Sequence, residues 1–129
     1  MKRLFIVDCG TYPNEILVAI GSNYNEIISF LKKKKLSLDG FEKHKEVIEK
    51  NCTYRGSAMM FKNGYLLLQI EKYREEWDWY EVLMHEVCHV VQYIFEHREI
   101  EDDEAFAYQL EYLFKTVRRR VQRKKLRKK

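Results

Sequence analysis

Apolar positions follow two regimes along the chain. As far as residue 70 they form short β-prone runs alternating with helical stretches, and beyond Asp78 they recur at helical spacing alone. Residues 4–9 and 15–20 read as strands or extended segments around Tyr12-Pro13-Asn14, a turn composition. Asn23 and Glu26 have capping-box spacing ahead of Ile27, Ile28 and Leu31, which predicts a helix to about residue 35. Asp39 as N-cap predicts a second helix to about residue 50. Residues 57–61 and 65–70 flank Lys62-Asn63-Gly64, and Asn-Gly between apolar runs predicts a β-hairpin. Asp78 and Glu81 repeat the capping-box spacing and open a helix through Val82, Leu83, Val87, Val90, Val91 and Ile94 to about His97, with Trp77 and Trp79 stapling its start. An acidic break at 99–104 opens a last helix whose apolar set is Phe106, Leu110, Leu113 and Val117. The pattern predicts an α+β fold: a small, mostly antiparallel sheet that includes the 57–70 hairpin, packed on the 78–97 helix and its return helix.

Composition adds boundaries to this picture. A chain of 129 residues with 46% hydrophobic and 14% aromatic content fits one compact domain, drawn at residues 1–117 because no amphipathic pattern survives beyond Val117. Residues 118–129 hold nine basic and no acidic side chains, and removing those nine charges from the formal +4 leaves −5 on residues 1–117. The segment reads as a separable basic tail. Its Arg118, Arg119, Arg120, Arg123, Lys124 and Lys125 suit nonspecific nucleic-acid contact, and without interleaved aromatics any such contact is indifferent to sequence. Cys9, Cys52 and Cys88 are odd in number and scattered, which argues against a disulfide framework and for a reducing compartment. Asp8 cuts the leading apolar run short of a signal-peptide core, and no run approaches the roughly 18 apolar residues of a membrane span. The expectation is a cytoplasmic protein with no membrane partner.

The strongest chemical signal is His85-Glu86-Val87-Cys88-His89, an H-E-x-x-H pattern inside the 78–97 helix. On a helix, positions i and i+4 project from one face, so the two imidazoles can grip a single ion, and Glu86 can reach a water bound to it. That is the zinc-hydrolase arrangement, with His85 and His89 as ligands and Glu86 as general base. Cys88 points about 100° away from His89 and reads as a small core residue. His44 and His97 read as exposed helix residues.

Two histidines need a third protein ligand. The zincin subclass with a Gly three residues after the second His and a third His three residues later is excluded, because Gln92 and Phe95 stand there. The remaining stock is the acidic segment of the return helix, in which Glu104, Tyr108 and Glu111 share a face. A strictly antiparallel return helix brings Glu111 nearest His89 and a splayed crossing favours Glu104, so geometry leaves both open. The stretch from His85 to Phe114, with H-E-x-x-H, one helix and turn, then Glu-Ala-Phe-Ala-Tyr, resembles the small zincin-like metallopeptidases encoded by bacteriophages and prophages. It is similar, more distantly, to the minimal cores of the glutamate-ligand zincins. The resemblance implies a zincin-like catalytic core in a bacterial or phage-infected cell, with Glu104 as the third ligand.

The implied chemistry is hydrolysis of a peptide or protein substrate by a zinc-activated water with Glu86 as base. Tyr108 is a candidate hydrogen-bond donor to an oxyanion, and strand 65–70 a candidate edge for aligning an extended peptide. Two rival readings keep the same motif. One is a zinc-stabilised binding protein without turnover, the other a protein tethered to nucleic acid by its basic tail.

Overall fold

The computed structural model describes residues 3–127, with side chains as far as Gln122. Strands β1 (Arg3–Cys9) and β2 (Tyr12–Ile20) are followed by helices α1 (Tyr24–Lys33), α2 (Asp39–Lys43) and α3 (Lys45–Asn51). Strands β3 (Gly56–Met60) and β4 (Leu66–Ile70) then lead into α4 (Trp77–His97) and α5 (Asp103–Arg127). The fold is α+β around a four-stranded mixed sheet of order β1-β2-β4-β3. Both hairpins are antiparallel, while β2 and β4 join them in parallel from Ile16 opposite Leu66 to Ile20 opposite Ile70. That parallel seam is what the expectation of a mostly antiparallel sheet omitted, since pairing between distant strands leaves no local mark in sequence.

Alternation along the strands decides the layering. Ile16, Val18, Ile20, Leu66, Leu68 and Ile70 pack on α4 and α5, while Leu17, Ala19 and Leu67 pack on α1, α2 and α3. Both faces of the sheet are therefore covered, and β4 is buried along its whole length. Strand 65–70 is a central strand and β3 is the edge, which overturns the assignment of a peptide-aligning edge to 65–70.

Several local expectations shift for physical reasons. The first turn is Gly10-Thr11, one pair earlier than Tyr12-Pro13-Asn14: Gly10 takes φ +66° and donates its N–H to Asp8 Oδ1 at 2.9 Å. Pro13 sits beside the irregular register after Asp8, where a missing N–H is tolerated. The capping box at Asn23 and Glu26 forms in both directions. The 39–50 helix is broken at His44, whose ring stacks on Phe61 at 5.6 Å and is not freely exposed. Asp78 does not cap α4; Glu76 is the N-cap, and Asp78 is instead held by Arg55 and Arg74 at 3.0 Å each. Trp79 is fully buried with its indole N–H donating to Glu71 O, whereas Trp77 is 80% exposed and staples nothing. Glu99 at φ 55° closes α4: the N–H of Ile100 reaches Phe95 O and that of Glu99 reaches Glu96 O, a Schellman-type end.

The largest correction concerns the carboxyl-terminal segment. α5 continues past Val117, and Val121 is fully buried among the residues facing α4 and the sheet. The buried Arg3 guanidinium donates to Val121 O, Arg120 lies 4.5 Å over the Phe5 ring, and Gln122 donates to Tyr80 Oη at 3.2 Å. Basic residues every few positions hid one apolar position from the pattern, because Val121 follows Val117 by four residues. Among the described residues no helix is long and apolar enough to cross a membrane, and Cys9, Cys52 and Cys88 are free thiols. Val121→Ala should destabilise the fold by about 2 kcal/mol, and truncation after Val117 by more; urea denaturation of both variants checks this, unchanged midpoints being the contrary result.

Candidate metal centre

α4 buries Trp79, Leu83, Val87, Val90, Val91 and Ile94 as one stripe against the sheet and α5. Helical spacing then turns His85 and His89 to the flank away from the core, with their Nε2 atoms 3.1 Å apart and ring planes at 82°. Two nitrogens bound to one tetrahedral zinc at about 2.0–2.1 Å stand about 3.3 Å apart. The imidazole pair therefore fits a shared divalent ion with little movement. His89 Nδ1 lies 2.9 Å from Gln92 Oε1, an acceptor that holds the proton on Nδ1 and leaves the Nε2 lone pair for the ion. The His89 ring is further aligned by stacking on Tyr93 at 6.3 Å.

Glu86 occupies the β3 side of the same helix and is only 8% exposed. Its neighbour across the gap is Gly56, at the start of β3: a Cβ there would come within 2.8 Å of Glu86 Cγ and of Val82 Cγ1. Glycine is thus the residue that lets the edge strand close over the carboxylate. Burial pushes the Glu86 carboxyl above its ordinary value, and positive charge on His85 and His89 would pull it back. An open cleft of about 490 Å³ runs from Arg55 and Gly56 to Glu81, His85 and Glu86, so the carboxylate is packed yet borders space for a substrate.

The third ligand can be placed only by helix register. Phe95 meets Phe106 at 5.4 Å, and Tyr80 meets Gln122, so α5 runs antiparallel to α4. Interpolating between these pairs puts Glu111 level with Val90, about one residue from His89, and Glu104 level with His97, roughly 10 Å farther along the axis at 1.5 Å per residue. Glu104 is exposed in the first turn of α5 and is not gathered to the histidines. Glu111 is exposed too, and the Lys115 ammonium at 2.9 Å holds its carboxyl below the ordinary range. Tyr108 is 69% exposed and joins no interaction at the centre. Among the described residues no group of three or more His, Cys, Asp or Glu side chains is assembled for a metal. The structure brings together His85, Glu86 and His89, and leaves Glu104, Glu111 and Tyr108 apart from them.

Two contributors escaped sequence reasoning. Gln92 lay three residues beyond His89 on the same face, a spacing that signals a contact, whereas Gly56 is visible only once β3 and α4 are packed. Cys88 is half-buried beside the pair, away from the core stripe, and His97 is exposed. Of the basic residues assigned to nucleic acid, Arg118 and Arg120 lie over the rings of Phe114 and Phe5, and Arg119 is exposed. Arg123, Lys124 and Lys125 fall outside the described side chains. Searches against protein-family models, curated proteins and solved structures return no match to this chain.

Gly56→Ala should cost about 1–3 kcal/mol, since backbone and the Glu86 stem must both yield; a urea midpoint equal to that of the parent would refute the close approach.

Proposed function

We propose that this chain is a zinc-dependent metallopeptidase with a zincin-like minimal core. The single observation that carries the reading is the 3.1 Å approach of the two H-E-x-x-H imidazoles on an outward helix flank, with Glu86 packed one step around the axis. A helix carrying the motif, an edge strand lying over its glutamate, and a return helix packed beside it support the zincin-like comparison.

His85 and His89 are the proposed imidazole ligands, with Gln92 orienting the second. Helix register favours Glu111 over Glu104 as the carboxylate partner. Its ion pair with Lys115 is a solvent-exposed i,i+4 contact, which water screens and a ligand exchange can replace. Zinc held by these residues would lower the pKa of its water toward about 7 and polarise the scissile carbonyl. Glu86 takes the proton from the attacking water and delivers it to the leaving amine. Its desolvated carboxyl suits that shuttle, because a raised pKa brings proton acceptance and release closer to neutral pH. The outward side of β3 carries no strand partner among the described residues, and it offers main-chain groups to an extended peptide beside the cleft.

The purified chain should bind about one equivalent of zinc, measured by elemental analysis after dialysis. Glu111→Ala should weaken that binding at least about tenfold and Gln92→Ala by about 10–100-fold, while Glu104→Ala leaves it close to the parent. Glu86→Gln should retain zinc and lose peptide hydrolysis on a casein-derived peptide pool. Loss of zinc in Glu104→Ala but not in Glu111→Ala would restore the Glu104 assignment, and turnover retained by Glu86→Gln would sink the proposed chemistry.

A further inference from the structure

A second cavity, of about 580 Å³, opens on the α5 side of His85, opposite the side on which Glu86 packs. Its walls are Trp77, Tyr80, Met84 and Phe114, with Glu81 and His85 along one side and Arg118 on the α5 wall. The size falls within the roughly 300–1,000 Å³ of small-ligand sites. Trp77 is 80% exposed and Met84 38% exposed, so large apolar surface faces solvent here although both residues belong to the helix that forms the core. Such surface next to a chemical centre marks a place where an apolar group docks.

Arg118 gives that docking a sign. Its guanidinium lies 5.7 Å over the Phe114 ring, its Nε is buried without a hydrogen-bond partner, and among the described residues it forms no ion pair. A half-buried guanidinium without a counter-charge is costly, and a carboxylate supplies both the charge and the fork of acceptors it lacks. With the Arg118 cation on the α5 wall and the exposed Glu81 carboxylate on the α4 side, the cavity suits a ligand with an apolar body whose negative charge is directed to Arg118 and away from Glu81.

We propose that this cavity receives the carboxyl-terminal residue of a peptide, its large apolar side chain among Trp77, Tyr80, Met84 and Phe114 and its α-carboxylate on Arg118. The inference deepens the metallopeptidase reading: with His85 lining the same cavity, the bond presented to the centre is the one before the last residue, and the activity is that of a carboxypeptidase. No new bond-making step is added, since water still displaces the terminal amino acid as the leaving amine, with Glu86 carrying the proton.

The test measures binding of N-acetyl-L-phenylalanine and of its amide by calorimetry on the full chain, with zinc and after chelation. The acid should bind about tenfold more tightly than the amide, a typical worth for one charge-assisted pair. That preference should persist in Glu86→Gln and after chelation, and disappear in Arg118→Gln. Met84→Glu, at an exposed position that tolerates charge, should abolish it as well by offering Arg118 an internal carboxylate. Equal binding of acid and amide, a preference that survives both variants, or one that vanishes on chelation would each overturn the proposal. If the preference holds and benzyloxycarbonyl-glycyl-phenylalanine is not hydrolysed, the cavity stands and the hydrolytic reading fails.

Discussion

The seating of α4 against the sheet is the constraint on which the candidate centre depends. Trp79, Leu83, Val87, Val90 and Ile94 are fixed in the core by β4 and by α5, which leaves the helix no freedom to rotate about its axis. Each residue turns about 100° from the last, so that one fixed rotation assigns every neighbour a direction. His85 and His89 face outward, Glu86 faces β3 and Met84 faces α5. A slip of a single residue in the packing would bury an imidazole and expose Val87. The centre is thus a by-product of a core that would form without it, and the same burial holds the two imidazoles near the separation that an ion needs.

Electrostatics at this point work through exclusion of water more than through pairing. Among the described residues Glu86 makes no ion pair, and its carboxyl is perturbed mainly by desolvation beneath Gly56. The opposite arrangement governs the start of α4, where Asp78 is held by Arg55 and Arg74 in the open and its carboxyl is drawn below the ordinary range. The two carboxylates, about two turns apart on one helix, serve different ends: one anchors the helix start to Arg55 at the foot of β3, the other is largely desolvated at the edge of the cleft beside the imidazoles. Arg118 extends the theme on the other flank, where a guanidinium with no ion pair among the described residues borders a largely aromatic cavity.

Much of the architecture was legible in the chain itself. The Asn63-Gly64 hairpin, the helical stripe of α4 and the acidic opening of α5 are local patterns that appear where they were expected, whereas the turn at Tyr12-Pro13-Asn14, the Asp78 cap and an unbroken 39–50 helix do not. The imidazole pair was readable for the same reason, because i and i+4 spacing is set by the helix alone. Contacts between distant segments were not readable: the parallel β2–β4 seam, the closure of Gly56 over Glu86, and the burial of Val121 against β1 and α4. The choice between Glu104 and Glu111 was left open by spacing for this reason too. It depends on how α5 registers against α4, which Phe95–Phe106 and Tyr80–Gln122 fix only in three dimensions.

X-ray absorption at the zinc edge of the metal-loaded chain reads the donor set of the proposed centre at His85 and His89. A centre at His85 and His89 gives two imidazole nitrogens and oxygen donors at about 2.0–2.1 Å, with no sulfur contribution, and loss of the imidazole multiple scattering when His85 and His89 are replaced. A sulfur shell at about 2.3 Å, or a spectrum unchanged in the histidine variants, would place the ion elsewhere and contradict the assignment of this helix flank as a metal centre.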